Sequence, residues 1–248
     1  MRMLCLALIA GVLSPPPHAG TETVRALILT GESDHAWKDT TVRLKRALED
    51  SGYFRVDVCD DPEAPVLSDP DALRNYAVLV LNFNRAKRWD VERESNFLSY
   101  VRGGGGLVVV HAAAKSFGDW DEFGRLIGGA WRDRGTAFPN RGSFHPPTSG
   151  PIEVAVVDPN HAITAGLGSS FTVRDEMSAN LKLQPDIHVL ARGAFGGKPQ
   201  PLIFIRHYGK GRVFQTALGH DLVAIEHPKF KDTLIRGARW AAGVLGLR

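Results

Sequence analysis

The stretch VERESNFLSYVRGGGGLVVVH, residues 91–111, decides the fold class. Residues 91–101 carry apolar side chains at helical spacing, glycines occupy 103–106, and residues 107–110 form a short apolar run. This order predicts a helix, a tight turn and a strand that is buried on both faces. A phosphate-binding loop needs a strand before its glycines and a helix after them, so these glycines indicate a turn and no nucleotide site.

The same alternation extends to both sides of this stretch. Apolar runs at 24–29, 54–59 and 76–81 predict three more strands, and the spacing after residue 39 predicts a helix that ends at Gly52. Alternating strands and helices are typical of an α/β fold. In the second half, Pro, Gly and Asn separate short strand candidates, some of which must pair antiparallel. They lie at 152–157, 171–173, 187–190, 202–205 and 213–216, with a hairpin turn at 209–211 and a closing helix at 230–247.

The amino end has the pattern of a secretory signal peptide. Residues 1–20 contain Arg2, an apolar run at 3–13 that is too short to span a bilayer, and then three prolines. We therefore expect an exported protein, periplasmic or secreted, with one domain at 21–248; an uncleaved signal anchor is the alternative. Cys5 would leave with the signal, so Cys59 would have no partner for an internal disulfide.

Charge narrows the range of partners. The 248 residues include 30 Lys and Arg and 27 Asp and Glu, which gives a formal net charge of +3. There is no long Lys/Arg block, so neither nucleic acid nor an anionic membrane is expected as a partner. A small or neutral ligand is favoured.

Polar side chains follow almost every predicted strand. In open α/β sheets, ligands bind beyond the carboxyl ends of the strands, so these residues are expected to converge at one edge. They are His35 and Trp37, Asn82 and Asn84, His111, Asp175 and Glu176, and His220 and Asp221.

Several common chemistries lack their motifs. There is no Gly-x-Ser-x-Gly elbow and no His-Glu-x-x-His helix, and Cys59 lies in a predicted strand without a nearby His. Acyl transfer through Ser or Cys is therefore disfavoured. A site for Zn, Mn or Fe built from separated His and carboxylate residues stays open, because sequence spacing does not exclude it.

A series of motifs across nearly the whole mature chain resembles the ThuA-like, or trehalose-utilisation, family. The motifs lie at 31–35, 80–82, 104–113, 126–129, 158–167, 175–176, 211–221 and 240–241. The resemblance implies a flavodoxin-like three-layer α/β/α sandwich, similar to class I glutamine amidotransferases, with a mixed sheet. The nucleophilic Cys of that superfamily is matched here by His111, so amidotransferase activity is not expected. The family is associated with bacterial sugar metabolism, including breakdown of disaccharides through 3-keto intermediates.

We therefore expect an exported enzyme that acts on a glycoside or keto-sugar by isomerisation, elimination or hydrolysis. Glu176 is the expected acid or base, His111 and His220 are electrophilic partners, and Asp221 orients a His or binds hydroxyls. A divalent metal, if present, would be held by His111, His220 and Glu176. The expected saccharide-binding residues are His35, Trp37, Asn82, Asn84 and His145.

Three alternatives stay open. The first is hydrolysis by two carboxylates, Glu176 and Asp221. The second is a non-catalytic carbohydrate-binding domain, and the third is a structural interaction domain with an exposed apolar patch.

Overall fold

A computed structural model describes residues 23–131, 142–146 and 149–245; the predicted signal peptide lies outside them. The strands are β1 (Val24–Leu29), β2 (Phe54–Cys59), β3 (Val78–Leu81), β4 (Gly106–Val110), β5 (Gly129–Ala130), β6 (Gly150–Val156), β7 (Ser170–Asp175), β8 (Lys182–Leu183), β9 (His188–Phe195), β10 (Lys198–Tyr208) and β11 (Gly211–Thr216). The helices are α1 (Trp37–Asp50), α2 (Pro70–Arg74), α3 (Val91–Arg102), α4 (Asp121–Ile127), α5 (Leu222–Glu226) and α6 (Pro228–Ala241), with 3-10 turns at Pro65–Ser68 and His111–Lys115. Across these described ranges, no helix is both long enough and apolar enough to cross a bilayer.

Nine strands form one mixed sheet in the order β2-β1-β3-β4-β11-β10-β9-β6-β7. The first five strands in this order run parallel. From β11 onwards each strand is antiparallel to its neighbour, so β7 again runs in the direction of β11. β5 and β8 form a separate antiparallel pair. The predicted α/β fold with antiparallel strands in the second half is confirmed.

Side chains that alternate along the parallel strands fill two separate cores. Ile28 packs in the core that contains Leu44 of α1, whereas Leu27 and Leu29 pack in the core that contains Phe97 of α3. Successive side chains of a strand point to opposite faces, so an uninterrupted apolar strand requires a cover on each side. Helices on both faces of the sheet provide that cover, and the expected three-layer sandwich is confirmed.

β4 lies inside the sheet, between β3 and β11, and all five of its residues are buried. The strand ends where His111 adopts a positive φ of 39°, which is uncommon for a residue other than glycine. The chain then turns sharply into the 3-10 helix. His111 is thereby held at the carboxyl end of an interior strand.

Three of the predicted elements differ clearly in length from the structure. β9 and β10 run well beyond the predicted 187–190 and 202–205, because together they form a long hairpin whose outer half projects from the core. The closing helix ends at Ala241 rather than at 247, and Gly243 follows with a φ of 80°. The apolar periodicity at 242–247 therefore predicted too long a helix.

Close packing of α6 on β11 generates the first prediction. A Cβ built on Gly237 lies 2.6 Å from the ring of Phe214, which is fully buried. Gly237→Ala should therefore lower the free energy of unfolding by about 1–3 kcal/mol through overpacking, although alanine favours a helix. Urea unfolding would measure the loss. Gly150→Ala is the control, because its Cβ meets no atom within 4 Å; equal effects of the two substitutions would contradict the packing argument.

Candidate functional site

Four polar side chains from different strand ends meet at one edge of the sheet. His35 follows β1, His111 follows β4, Glu176 follows β7 and His220 follows β11. Each offers one ligand atom, and these four atoms lie within 4.8 Å of one another. Strand direction explains why these side chains are close together, because the carboxyl ends of all four strands lie at the same edge of the sheet.

One oxygen of Glu176 is the centre of the group. Glu176 Oε2 lies 3.1 Å from His145 Nδ1, 3.2 Å from His220 Nδ1, 3.6 Å from His111 Nε2 and 4.0 Å from His35 Nε2. Together with His145 and His220, the His111 imidazole lowers the pKa of Glu176 to about 2, against the effect of burial. The carboxylate is therefore ionised at neutral pH, with four imidazoles around it.

A neighbouring carboxylate orients the His35 ring. His35 Nδ1 lies 2.5 Å from Asp34 Oδ1, and Asp34 also accepts hydrogen bonds from Asn84 and Lys115. Burial opposes the ionisation of Asp34, but the Asn84 hydrogen bond and the charges of His35 and Lys115 lower its pKa to about 2. Asp34 is thus an acceptor for the Nδ1 proton, and Nε2 of His35 is left as the basic nitrogen.

The backbone orients His111 in the same way. Its Nδ1 donates to the carbonyl of Ala217 at 2.8 Å, and its Nε2 is buried without a hydrogen-bond partner among the described residues. Burial disfavours the charged ring, but the carboxylates of Glu176 and Asp175 outweigh it and raise the pKa of His111. Buried polar atoms are nearly always paired, so this nitrogen marks a place where a ligand belongs.

Asp175 positions both Glu176 and His220. Its carboxylate is 2% exposed and accepts the backbone N–H groups of Gly219 at 2.7 Å, Glu176 at 2.8 Å and His220 at 3.1 Å. Burial raises its pKa, although these hydrogen bonds and His111 act in the opposite direction. The sequence analysis placed Asp175 at the sheet edge but gave it no role. The alternation of side chains along the strand could have identified this role, because it directs Asp175 inward if Glu176 faces the site.

His145 joins the site from a loop that no strand prediction covered. Its Nδ1 lies 3.2 Å from the carbonyl of Met177 as well as close to Glu176, and its ring packs 4.6 Å from the ring of Trp131. The sequence analysis expected His145 to bind saccharide, and it missed Trp131 altogether. No local pattern marks Trp131, because it follows a two-residue strand whose partner is distant in sequence.

The remaining expected site residues have structural partners. Asn82 donates to the hydroxyls of Thr40 and Thr41, and thereby holds the start of α1 on the sheet. Together with Trp37 it still lines a small cavity of about 10 Å³, which His35, His111 and His220 also line. That space is about the size of one water molecule.

Asp221 lies beside the site but is engaged elsewhere. Its carboxylate accepts the backbone N–H of Ala224 at 3.0 Å and so caps the amino end of α5. The four clustered ligand atoms do not include it. Its expected catalytic role stays a prediction, with an N-cap as the role that the contacts describe.

Comparisons with known proteins agree on one family. The ThuA family, described as trehalose utilisation, matches residues 25–241. A ThuA-like protein from Parabacteroides merdae is 27% identical, with a TM-score of 0.80 over 92% of this chain and 93% of that one. A second, from Bacteroides uniformis, is 21% identical, with a TM-score of 0.67 over 92% and 95%.

A more distant likeness concerns the fold alone. A β-galactosidase from Rahnella sp. R3 is 16% identical, with a TM-score of 0.59 over 90% of this chain and 32% of that one. No curated protein matches the chain.

The buried Asp175 carboxylate generates the second prediction. Asp175→Asn exchanges one acceptor oxygen for an amide that faces backbone N–H groups, so the free energy of unfolding should fall by about 1–3 kcal/mol. Asp221→Asn is the matched control, because Asn caps helices as well as Asp does and a change within about 0.5 kcal/mol is expected. Urea unfolding curves would measure both. Equal losses of unfolding free energy in the two variants would contradict the positioning role of Asp175.

Proposed function

We propose that this chain, which belongs to the ThuA family over residues 25–241, is an enzyme that acts on a glycoside or keto-sugar at the His/Glu centre. One observation carries the proposal: Glu176 Oε2 lies within 4.0 Å of nitrogens from four imidazoles at a single sheet edge. The family description supplies the substrate class, and the centre supplies the chemistry. The family and the fold are established, and the particular reaction is our proposal.

The composition of the centre favours catalysis over recognition alone. Amide and aromatic side chains suffice to bind sugar hydroxyls, yet Asn82 and Asn84 both donate to partners within the protein. Grouping titratable side chains in a partly buried site is costly, and such groups with displaced pKa values are typical of active sites. A carbohydrate-binding domain is the alternative function.

Proton transfer next to a keto group fits the side chains present. A 3-keto group acidifies the neighbouring C–H bond, so a base can remove that proton while the electron pair moves to the keto oxygen. Protonation of C3 with loss of the 2-hydroxyl proton moves the keto group to C2 and isomerises the sugar. Alternatively, the C1–O bond breaks, the leaving glycosidic oxygen takes the proton from the conjugate acid of the base, and an unsaturated keto-sugar remains. In this proposal, the centre also holds the oxygen on which negative charge develops.

His145 is the base in this scheme. Its Nδ1 faces two acceptors, Glu176 Oε2 and the carbonyl of Met177, and so carries the proton of the neutral ring. Its Nε2 is then the unprotonated nitrogen, and it has no hydrogen-bond partner among the described residues. Glu176 orients this ring, as the carboxylate does in other carboxylate–imidazole pairs.

Deuterium exchange into the substrate provides the third prediction. In D₂O, the protein should exchange the proton at the carbon next to the ketone of 3-keto-trehalose or a 3-keto-glucoside, as followed by NMR. His145→Asn should slow the exchange by about 10²–10⁴-fold, the usual contribution of a general base. Glu176→Gln should also abolish it, because the amide neither orients His145 as a carboxylate does nor holds the centre's charge.

His161→Ala is the control for this assay. His161 lies away from the centre, where its ring packs against those of His188 and Trp240, so the exchange rate should not change. Saccharide binding without exchange or product across a panel of keto-sugars would overturn the proposal and favour the binding domain.

A further inference from the structure

We propose that the centre is a binding site for one divalent transition-metal ion. The ligand atoms are His35 Nε2, His111 Nε2, His220 Nδ1 and Glu176 Oε2. The sequence analysis expected His35 to bind sugar, and the structure instead groups it with the other three. This inference adds to the proposed function and does not depend on the identity of the substrate.

In the His35 and His111 rings, the nitrogen that faces away from Glu176 already has a hydrogen-bond partner. His35 Nδ1 is held by Asp34, and His111 Nδ1 is held by the carbonyl of Ala217. Metal-binding histidines nearly always donate their second ring N–H to a carboxylate or a backbone carbonyl, which orients the ring and makes the ligating nitrogen more basic. Both kinds of partner are present here, one for each ring.

The nitrogens that face Glu176 Oε2 lie close to it, at 3.6 Å for His111 Nε2 and 3.2 Å for His220 Nδ1, but without hydrogen-bond geometry. His111 Nε2 and His220 Nδ1 are buried and have no hydrogen bond among the described residues. His111 as a whole is 4% exposed. Leaving a buried polar atom unsatisfied costs about 1–3 kcal/mol. A bound cation removes that cost for both atoms at once.

Ring packing keeps the three imidazoles at a common centre. The His220 ring meets the His35 ring edge-on at 4.6 Å and the His111 ring at 5.3 Å, and the His35 and His111 rings are 5.2 Å apart. Asp175 fixes the backbone N–H of His220 from behind. The His35 and His111 rings are therefore held by partners outside the site, and His220 is held through its backbone N–H.

The donor set selects the kind of metal. Three imidazoles with one carboxylate suit Zn²⁺, Fe²⁺, Co²⁺ or Ni²⁺, whereas Mg²⁺ and Ca²⁺ prefer oxygen ligands. The ionised Glu176 supplies a negative charge for the cation. A bound ion would polarise a keto oxygen as a Lewis acid. His145 is not one of the four ligands and stays free to move protons.

The test measures how much metal the purified protein binds, with no polyhistidine tag attached to it. After incubation with Zn²⁺ and removal of excess metal, elemental analysis should find one ion per chain. A 100-fold excess over the dissociation constant should raise the melting temperature by about 5–10 °C. His220→Ala should lose stoichiometric binding and the thermal shift. It is preferred to His111→Ala, because His111 is buried at a strained position and its loss could prevent folding.

Two further variants make the test specific. Asp34→Asn should weaken Zn²⁺ affinity about 10–100-fold, as expected for a positioning residue behind a ligand. His188→Ala should have no effect; His188 pairs with Asp158 at a separate, exposed position and is the control for adventitious imidazole binding.

Each outcome decides the proposal. Loss of the ion in His220→Ala, with weaker binding by Asp34→Asn, supports it. Less than about one-tenth of an ion per chain with Zn²⁺, Fe²⁺, Co²⁺ and Ni²⁺, or equal binding by His220→Ala, overturns it. Undiminished deuterium exchange by a protein that binds no metal would overturn the metal site and leave the proposed function. A protein that binds the metal but shows no deuterium exchange would support the metal site and overturn the proposed function.

Discussion

A buried carboxylate, Asp175, connects the two halves of the sheet at the point on which the site depends. It lies at the end of the edge strand β7 and accepts the N–H groups of Gly219 and His220, which follow the interior strand β11. Three strands separate β7 from β11 in the sheet. The hydrogen bonds to Asp175 offset the cost of burying it, and they deliver Glu176 to the imidazoles.

Around that anchor, three of the four imidazole rings have a further partner besides Glu176. Asp34 holds His35, the Ala217 carbonyl holds His111, and the Met177 carbonyl lies against His145. Such a shell of second partners fixes which nitrogen carries a proton and which is free. The free nitrogens of His35 and His111 face the Glu176 carboxylate, whereas His145 directs its protonated Nδ1 toward it.

One strand end departs from the pattern that the resemblance to class I glutamine amidotransferases implies. The position after the interior strand, where class I glutamine amidotransferases place a nucleophilic Cys, is occupied by His111 with a positive φ. The sharp turn presents the His111 side chain beyond the strand end, where its Nε2 faces Glu176. Fold and family therefore do not set the reaction; the side chains at the strand ends do.

The sequence by itself determined the layers, the family and most of the strand-end residues. Apolar runs predicted β1, β4, β7 and β11, and the polar residues beyond them included His35, His111, Glu176 and His220. Those features are local: a period of two or of 3.6 residues, and a polar residue where it stops, can be recognised without knowledge of the fold.

Only the tertiary structure decided what each polar side chain contacts. Asp221 caps α5, Asn82 holds α1 and Asn84 supports Asp34, although each was equally placed in sequence to bind a substrate. His145 contacts Glu176, which lies 31 positions further along the chain. The partner of a side chain depends on strand order and on loops that cross the sheet edge, and the periodicity of a single segment carries no information about either.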